Sequence, residues 1–162
     1  YRNLCLHQVG HRANVYMQKL CAKDFHGLVR FIKMADGNTV IKLYSSNKTE
    51  IKNPSGSQET IKYISVLFAI SDFTHQKRDE DYPLIFDAAT SSFGEAKEQD
   101  FYNVIDNIKK QCIIVTKDFI SDGEIRQDDI NKLSCSVYRI KKAENFNASD
   151  LSTIRTKVTK IR

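Results

Sequence analysis

The sequence predicts an α/β fold: a mostly parallel sheet with flanking helices, and a β-hairpin ahead of the longest helix. Three patterns predict it. Pro83-Leu84-Ile85-Phe86-Asp87 and Cys112-Ile113-Ile114-Val115-Thr116 are short, nearly continuous apolar runs, as in strands covered on both faces. Between them, Glu95 to Lys109 places Phe101, Val104, Ile105 and Ile108 on one face of a helix. Strand, helix, strand in that order makes a parallel pair. Further upstream, Asp36-Gly37-Asn38 separates two strand-like runs and tolerates the positive φ of a hairpin turn.

The remaining elements follow in order. Leu4, Val9, Val15 and Leu20 recur at loose helical spacing, so residues 4–22 are expected to be a helix. Gly27 to Met34 and Thr39 to Tyr44 are the two strands of the hairpin. Residues 45–57 are rich in Ser, Asn, Lys, Pro and Gly and read as a loop. Ile61, Ile64, Leu67, Phe68 and Ile70 mark a strong helix from Gln58 to about Phe73. Residues 74–82 are charged and read as a surface connection. Residues 118–133 are polar, with room for a short helix. Ser136 to Lys141 and Thr156 to Ile161 alternate like strands, with a loop between them. Without an internal repeat, residues 1–162 read as one domain.

Composition narrows the class. Apolar residues are 41% and charged residues 28%, which excludes a disordered chain. No apolar run approaches the roughly 18 residues needed to cross a bilayer. Cys5, Cys21, Cys112 and Cys135 lie far apart without a C-x-x-C pair, which argues against a disulfide framework or zinc site and for reduced, mostly buried thiols in the cytoplasm. His7 and His11 have a spacing that can hold zinc, but no acid or Cys completes the set, so they read as surface residues. The chain starts at Tyr1 and not Met, as a segment of a longer protein would. The net charge of +5 is unevenly placed: residues 132–162 hold eight Lys or Arg against Glu144 and Asp150. Such a stretch either attracts phosphate backbones or is a solvated surface.

Two segments carry the candidate chemistry. Pro54-Ser55-Gly56-Ser57-Gln58 stands at the start of the strong helix. Free backbone N–H groups and the helix dipole make such a start an anion site. A Ser N-cap after a loop is also a common structural device, and the residues alone fit both readings. Asp87 ends a buried strand and is followed by small residues, where α/β sheets place ligand-binding groups. It could hold a magnesium ion, or simply start a turn.

Taken in order and spacing, these segments resemble the ABC-type ATPases of the SMC-like kind. Residues 54–58 resemble the signature L-S-G-G-Q, and Ser65-Val66-Leu67-Phe68-Ala69-Ile70 looks like the helix that follows it. Residues 83–87 resemble Walker B, residues 90–95 fall at the D-loop, and residues 113–118 resemble the switch strand. The resemblance implies the C-terminal half of an ABC-type P-loop ATPase head. It assigns Ser55, Gly56, Ser57 and Gln58 to the γ-phosphate of ATP held by the opposite head, and Asp87 to magnesium in its own site. Ser91 and Ser92 would form the D-loop, and Lys117 would stand at the switch. The implied cofactors are ATP and Mg2+. The implied partners are an N-terminal lobe carrying Walker A beyond a coiled coil, a second copy of the head, DNA, and a nuclease or other effector subunit, with no membrane involved.

The departures bear on activity. No G-x-x-x-x-G-K-[ST] is present, since the six glycines never take that spacing. Where the family has a catalytic Glu the chain has Ala88, which can neither accept a proton nor orient water. Lys117 replaces the switch His, and Gly94 replaces the D-loop Asp, with Glu95 adjacent. Glu95 and Asp118 could lend a carboxylate, or serve as a helix-start charge and a turn residue. Two functions are therefore expected. One is an ATPase, active only in the full-length dimer, that controls a DNA-associated complex such as those of repair, DNA sulfur modification or phage defence. The alternative is a catalytically weak or inert scaffold of the same shape.

Overall fold

The computed structural model describes residues 2–21, 27–78, 82–108, 110–143, 147 and 149–162. The chain forms two compact units, Tyr1–Thr116 and Lys117–Arg162.

In the first unit, helix α1 (Arg2–Leu20) lies against helix α2 (Gly56–Arg78). Ala13, Met17 and Leu20 of α1 and Ile61, Phe68 and Ala69 of α2 are buried at their contact. Polar ties fix the register. The Tyr16 hydroxyl donates to Asp72 Oδ2 at 2.6 Å, and Arg12 donates to Gln76 Oε1. Burial, and then the bond to Asp72, hold the Tyr16 phenol well above its usual pKa. The Asn14 amide grips both the N–H and the carbonyl of Val29, at 2.7 and 3.1 Å, and so docks the hairpin on α1. That hairpin is β1 (Leu28–Lys33) and β2 (Thr39–Tyr44), antiparallel, with Gly37 at φ 85 in its turn.

Helix α2 is longer than its apolar pattern suggests. It starts at Gly56 and runs through residues 74–78, where a surface connection was expected; residues 79–81 lie outside the described part. The physical reason is local. Gln, Lys and Arg are good helix formers and no Gly or Pro intervenes. Asp72 and Gln76, moreover, are held by α1.

Strands β3 (Leu84–Asp87) and β4 (Cys112–Val115) pair in parallel across helix α3 (Glu95–Asn107), as the strand–helix–strand order requires. This is the parallel part of the fold; among the described residues there are four ladders, each two-stranded, and the other three are antiparallel. The expectation of strands covered on both faces needs correction. Leu84 and Phe86 are buried, whereas Ile85 is 65% exposed, Ile113 46% and Val115 48%. Cross-strand partners share a face, so these three form one bare apolar face.

Rings join the layers. Tyr16, Phe68, Phe86, Phe101 and Phe93 succeed one another at centroid separations of 5.1, 5.7, 5.5 and 6.2 Å.

Directly after β3 the backbone turns at Ala88, whose φ is 49, in the left-handed region that disfavours a Cβ. The turn is held by the Ala88 N–H donating to the Val115 carbonyl at 2.8 Å and the Ser91 N–H donating to the Ala88 carbonyl at 3.1 Å.

The second unit begins with β5 (Ile120–Ser121) and β6 (Glu124–Ile125), joined by Asp122 and Gly123, both at positive φ. Asp-Gly is the turn signal for such a hairpin, but its strands are too short for a period-2 pattern. Helix α4 (Gln127–Lys132) follows, and then the antiparallel ribbon of β7 (Tyr138–Lys142) and β8 (Thr156–Lys160). Arg139 donates to the Gly123 carbonyl at 2.8 Å, and Arg162 to the Ile130 and Asn131 carbonyls at 2.9 Å each, so the ribbon is moored to the rest of this unit.

Of the four cysteines, all free, only Cys21 is buried; Cys135 is exposed, so the expectation of mostly buried thiols is corrected. Among the described residues no helix is long and apolar enough to cross a membrane. Nor do they hold a metal-ready cluster of His, Cys, Asp or Glu; His7 and His11 stand exposed without a third ligand.

Two outcomes follow from this packing. Phe101 is fully buried among three rings, and Phe101→Ala should cost about 3–5 kcal/mol in urea unfolding. A loss below about 1 kcal/mol would mean that the rings do not carry the core. Ala88→Gly should raise stability by roughly 0.5–1 kcal/mol, the left-handed strain relieved less the extra chain entropy of glycine. An unchanged or lower midpoint would show that Ala88 is not strained.

Candidate functional site

The site is assembled from three consecutive pieces of the first unit: the start of α2, the end of β3, and the loop that leads into α3. The start of α2 is built as a reciprocal cap. The Gln58 N–H donates to Ser55 Oγ at 3.3 Å, and the Ser55 N–H donates to Gln58 Oε1 at 2.9 Å. The first N–H groups of a helix have no acceptor within it. The cap satisfies those of Ser55 and Gln58 and leaves those of Gly56 and Ser57, together with the positive end of the helix dipole. Ser55 and Gly56 are exposed, and Ser57 and Gln58 are half-buried.

Nothing among the described residues demands glycine at position 56. A Cβ there would meet only Ser92 Cβ, at 3.7 Å, an ordinary contact. The absence of a side chain leaves room for something approaching from outside.

The loop after β3 lies against this helix start. Ser92 Oγ and Thr60 Oγ1 are 3.1 Å apart, and Thr60 in turn donates to the Gly56 carbonyl at 2.9 Å. From the first turn of α3, Lys97 Nζ donates to Ser57 Oγ at 3.3 Å. The structure thus brings Ser55, Gly56, Ser57, Gln58 and Ser92 together. It adds Thr60 and Lys97, which the sequence reading missed. Lys97 had left a faint signal: a Lys in the first turn of a helix opposes the dipole, where Asp or Glu is favoured.

Charge at the helix start is balanced further along. Glu59, in the first turn, pairs through Oε1 with Lys62 at 2.7 Å, and the Lys62 side chain is almost wholly buried. Glu59 Oε2 is buried without a partner. Lys62 cancels the carboxylate that would repel an anion, and Lys97 adds a positive charge beside Ser57.

Asp87 stands at the exposed end of β3 and makes no hydrogen bond or ion pair among the described residues. Its carboxylate is free to take a cation. The next residue, Ala88, supplies no second carboxylate. Ser91 is exposed in the same turn, and Glu95 is the first residue of α3, the position of a helix-start charge. Lys117 is exposed and opens the second unit, where its carbonyl accepts from the Ile120 N–H at 3.0 Å; Asp118 lies beside it, with its carbonyl accepting from Arg126.

No family model matches the sequence, and no curated protein matches it. Solved structures do. One comes from work on ATP-driven dimerization and DNA-stimulated activation of SMC ATPases; it aligns over 97% of this chain and 85% of its own, with a TM-score of 0.66 at 16% identity. Another is an SMC head bound to the C-winged helix domain of ScpA, aligned over 96% of this chain and 43% of its own, with a TM-score of 0.61 at 14% identity. At that identity the likeness is one of fold, and the chain spans less than half of the second structure's length. The chain has the fold of a lobe of an SMC-like, ABC-type ATPase head.

Proposed function

We propose that this chain is the C-terminal lobe of an ATPase head that closes on a second head over ATP. The carrying observation is the start of α2: two backbone N–H groups left over by the cap, a glycine that no internal packing requires, and a lysine hydrogen-bonded to Ser57. This arrangement suits the terminal phosphate of a nucleotide held by the partner head. Ser55, Gly56, Ser57 and Gln58 bind that phosphate in this reading, and Ser91 and Ser92 form the loop that crosses between the heads. Asp87, exposed and unpaired, suits a magnesium ion at the head's own nucleotide, with Lys117 a point charge at the switch. The bound nucleotide supplies the phosphoanhydride, and magnesium neutralises its charge.

The bare face of Ile85, Ile113 and Val115 supports a further part of the reading. Parallel strands are normally covered on both faces, so a second lobe of the head, the one carrying Walker A, belongs there. Control of a DNA-associated complex, with DNA and an effector subunit as partners, extends the proposal to the whole protein, in the cytoplasm. One observation favours a different reading, a scaffold that binds ATP and scarcely hydrolyses it. Position 88, directly after Asp87, has no carboxylate to align water.

Two measurements separate these outcomes. On the complete protein, ATP-dependent dimerisation measured by sedimentation should vanish in Ser55→Arg, which places a bulky cation in the phosphate cradle, and persist in Ser134→Arg. Dimerisation unaffected by Ser55→Arg overturns the proposal. Phosphate release should be slow in the natural protein and lost in Asp87→Ala. It should rise about 100-fold or more in Ala88→Glu, which places a base beside the proposed metal ligand. Rapid release from the natural protein, unchanged in Ala88→Glu, would mean that another group activates the water.

A further inference from the structure

The β7–β8 ribbon carries a charge arrangement that the fold by itself does not explain. Its register sets Lys141 directly opposite Lys157. Like charges facing each other across two strands are destabilising. The described residues offer neither lysine a carboxylate, and both side chains are exposed. Arg139 is on the same face, held by the Gly123 carbonyl. On the opposite face, Tyr138, Ile140 and Val158 are 55, 62 and 61% exposed, with Lys160 facing Tyr138 and Lys142 facing Thr156. The ribbon is therefore cationic on both faces, within a stretch whose net charge exceeds that of the entire chain.

We propose that this ribbon binds duplex DNA by entering the major groove, the Lys141–Lys157 pair being neutralised by backbone phosphates. The two-sided charge selects the partner. A membrane or an acidic protein surface is flat and meets one face of a ribbon, leaving the other face's cations in water. A major groove is bounded by phosphates on both sides and is wide enough for a two-stranded ribbon. This inference rests on the ribbon alone and does not depend on the nucleotide reading.

The test is fluorescence anisotropy of the full chain on a short mixed-sequence duplex, without nucleotide and with EDTA, across a salt series. Lys141→Gln/Lys157→Gln should weaken binding about tenfold and lower the slope of log affinity against log salt by about 2. The same variant should melt no lower than the natural chain, because the opposed charges are gone. Lys141→Arg/Lys157→Arg should keep the affinity. Lys33→Gln/Lys48→Gln, with the same change in net charge elsewhere, should stay within about twofold. Unchanged affinity in the Gln pair, an equal loss in the Lys33/Lys48 control, or a loss in the Arg pair would overturn the proposal. So would a Gln pair that keeps DNA but loses phosphatidylserine vesicles, which would make the ribbon a membrane contact.

Discussion

Phe86 is the residue on which the first unit depends. It packs edge-on against Phe68 of α2 on one side and Phe101 of α3 on the other. Such pairs contribute about 0.5–1.5 kcal/mol beyond their buried area, and they do so only at particular tilts. The rings therefore set orientation as well as stability. Each candidate segment is attached to one of them. Asp87 follows Phe86 directly, the Ser91–Ser92 turn leads into Phe93, Lys97 lies one turn before Phe101, and the Ser55 cap opens the helix that carries Phe68. Placing those rings places the polar groups.

The same strand shows an asymmetry that gives the lobe its meaning. Phe86 and Leu84 face the core, while Ile85 and its neighbours Ile113 and Val115 face outward and are apolar. Burial of such side chains stabilises by about 1.5–3 kcal/mol each, so a fold that leaves three of them bare is poised to be covered. The polar site has a matching character. The α2 start has N–H donors that its cap leaves over, and Asp87 presents an exposed carboxylate.

Much of this was legible from the residues. The hairpin turn at Asp36-Gly37-Asn38, the strand–helix–strand unit and the helix after Ser57 each carry a strong local signal: positive-φ residues, an apolar run, or a 3.6-residue period. Ser55 to Gln58 could be placed because capping is local chemistry. The end of α2 could not, because residues 74–78 have no apolar period and are held in helix by contacts with α1, more than fifty residues away. The Asp122-Gly123 hairpin escaped because two-residue strands show no alternation. Lys97 and Thr60 escaped because their partners, Ser57 and Ser92, are decades of residues apart in the chain.

By itself, then, the sequence determined the order of the longer elements and the parallel pairing of β3 with β4, and it singled out Ser55 to Gln58 and Asp87 as candidates for phosphate and metal chemistry. These follow from periodicities and turn preferences that act over a few residues. Tertiary structure alone decided which face of β3 is bare, that Ser92 and Lys97 stand beside the α2 start, and that Lys141 opposes Lys157. Those depend on strand register and on how helices meet across the core, and both are set by contacts between residues far apart in the chain.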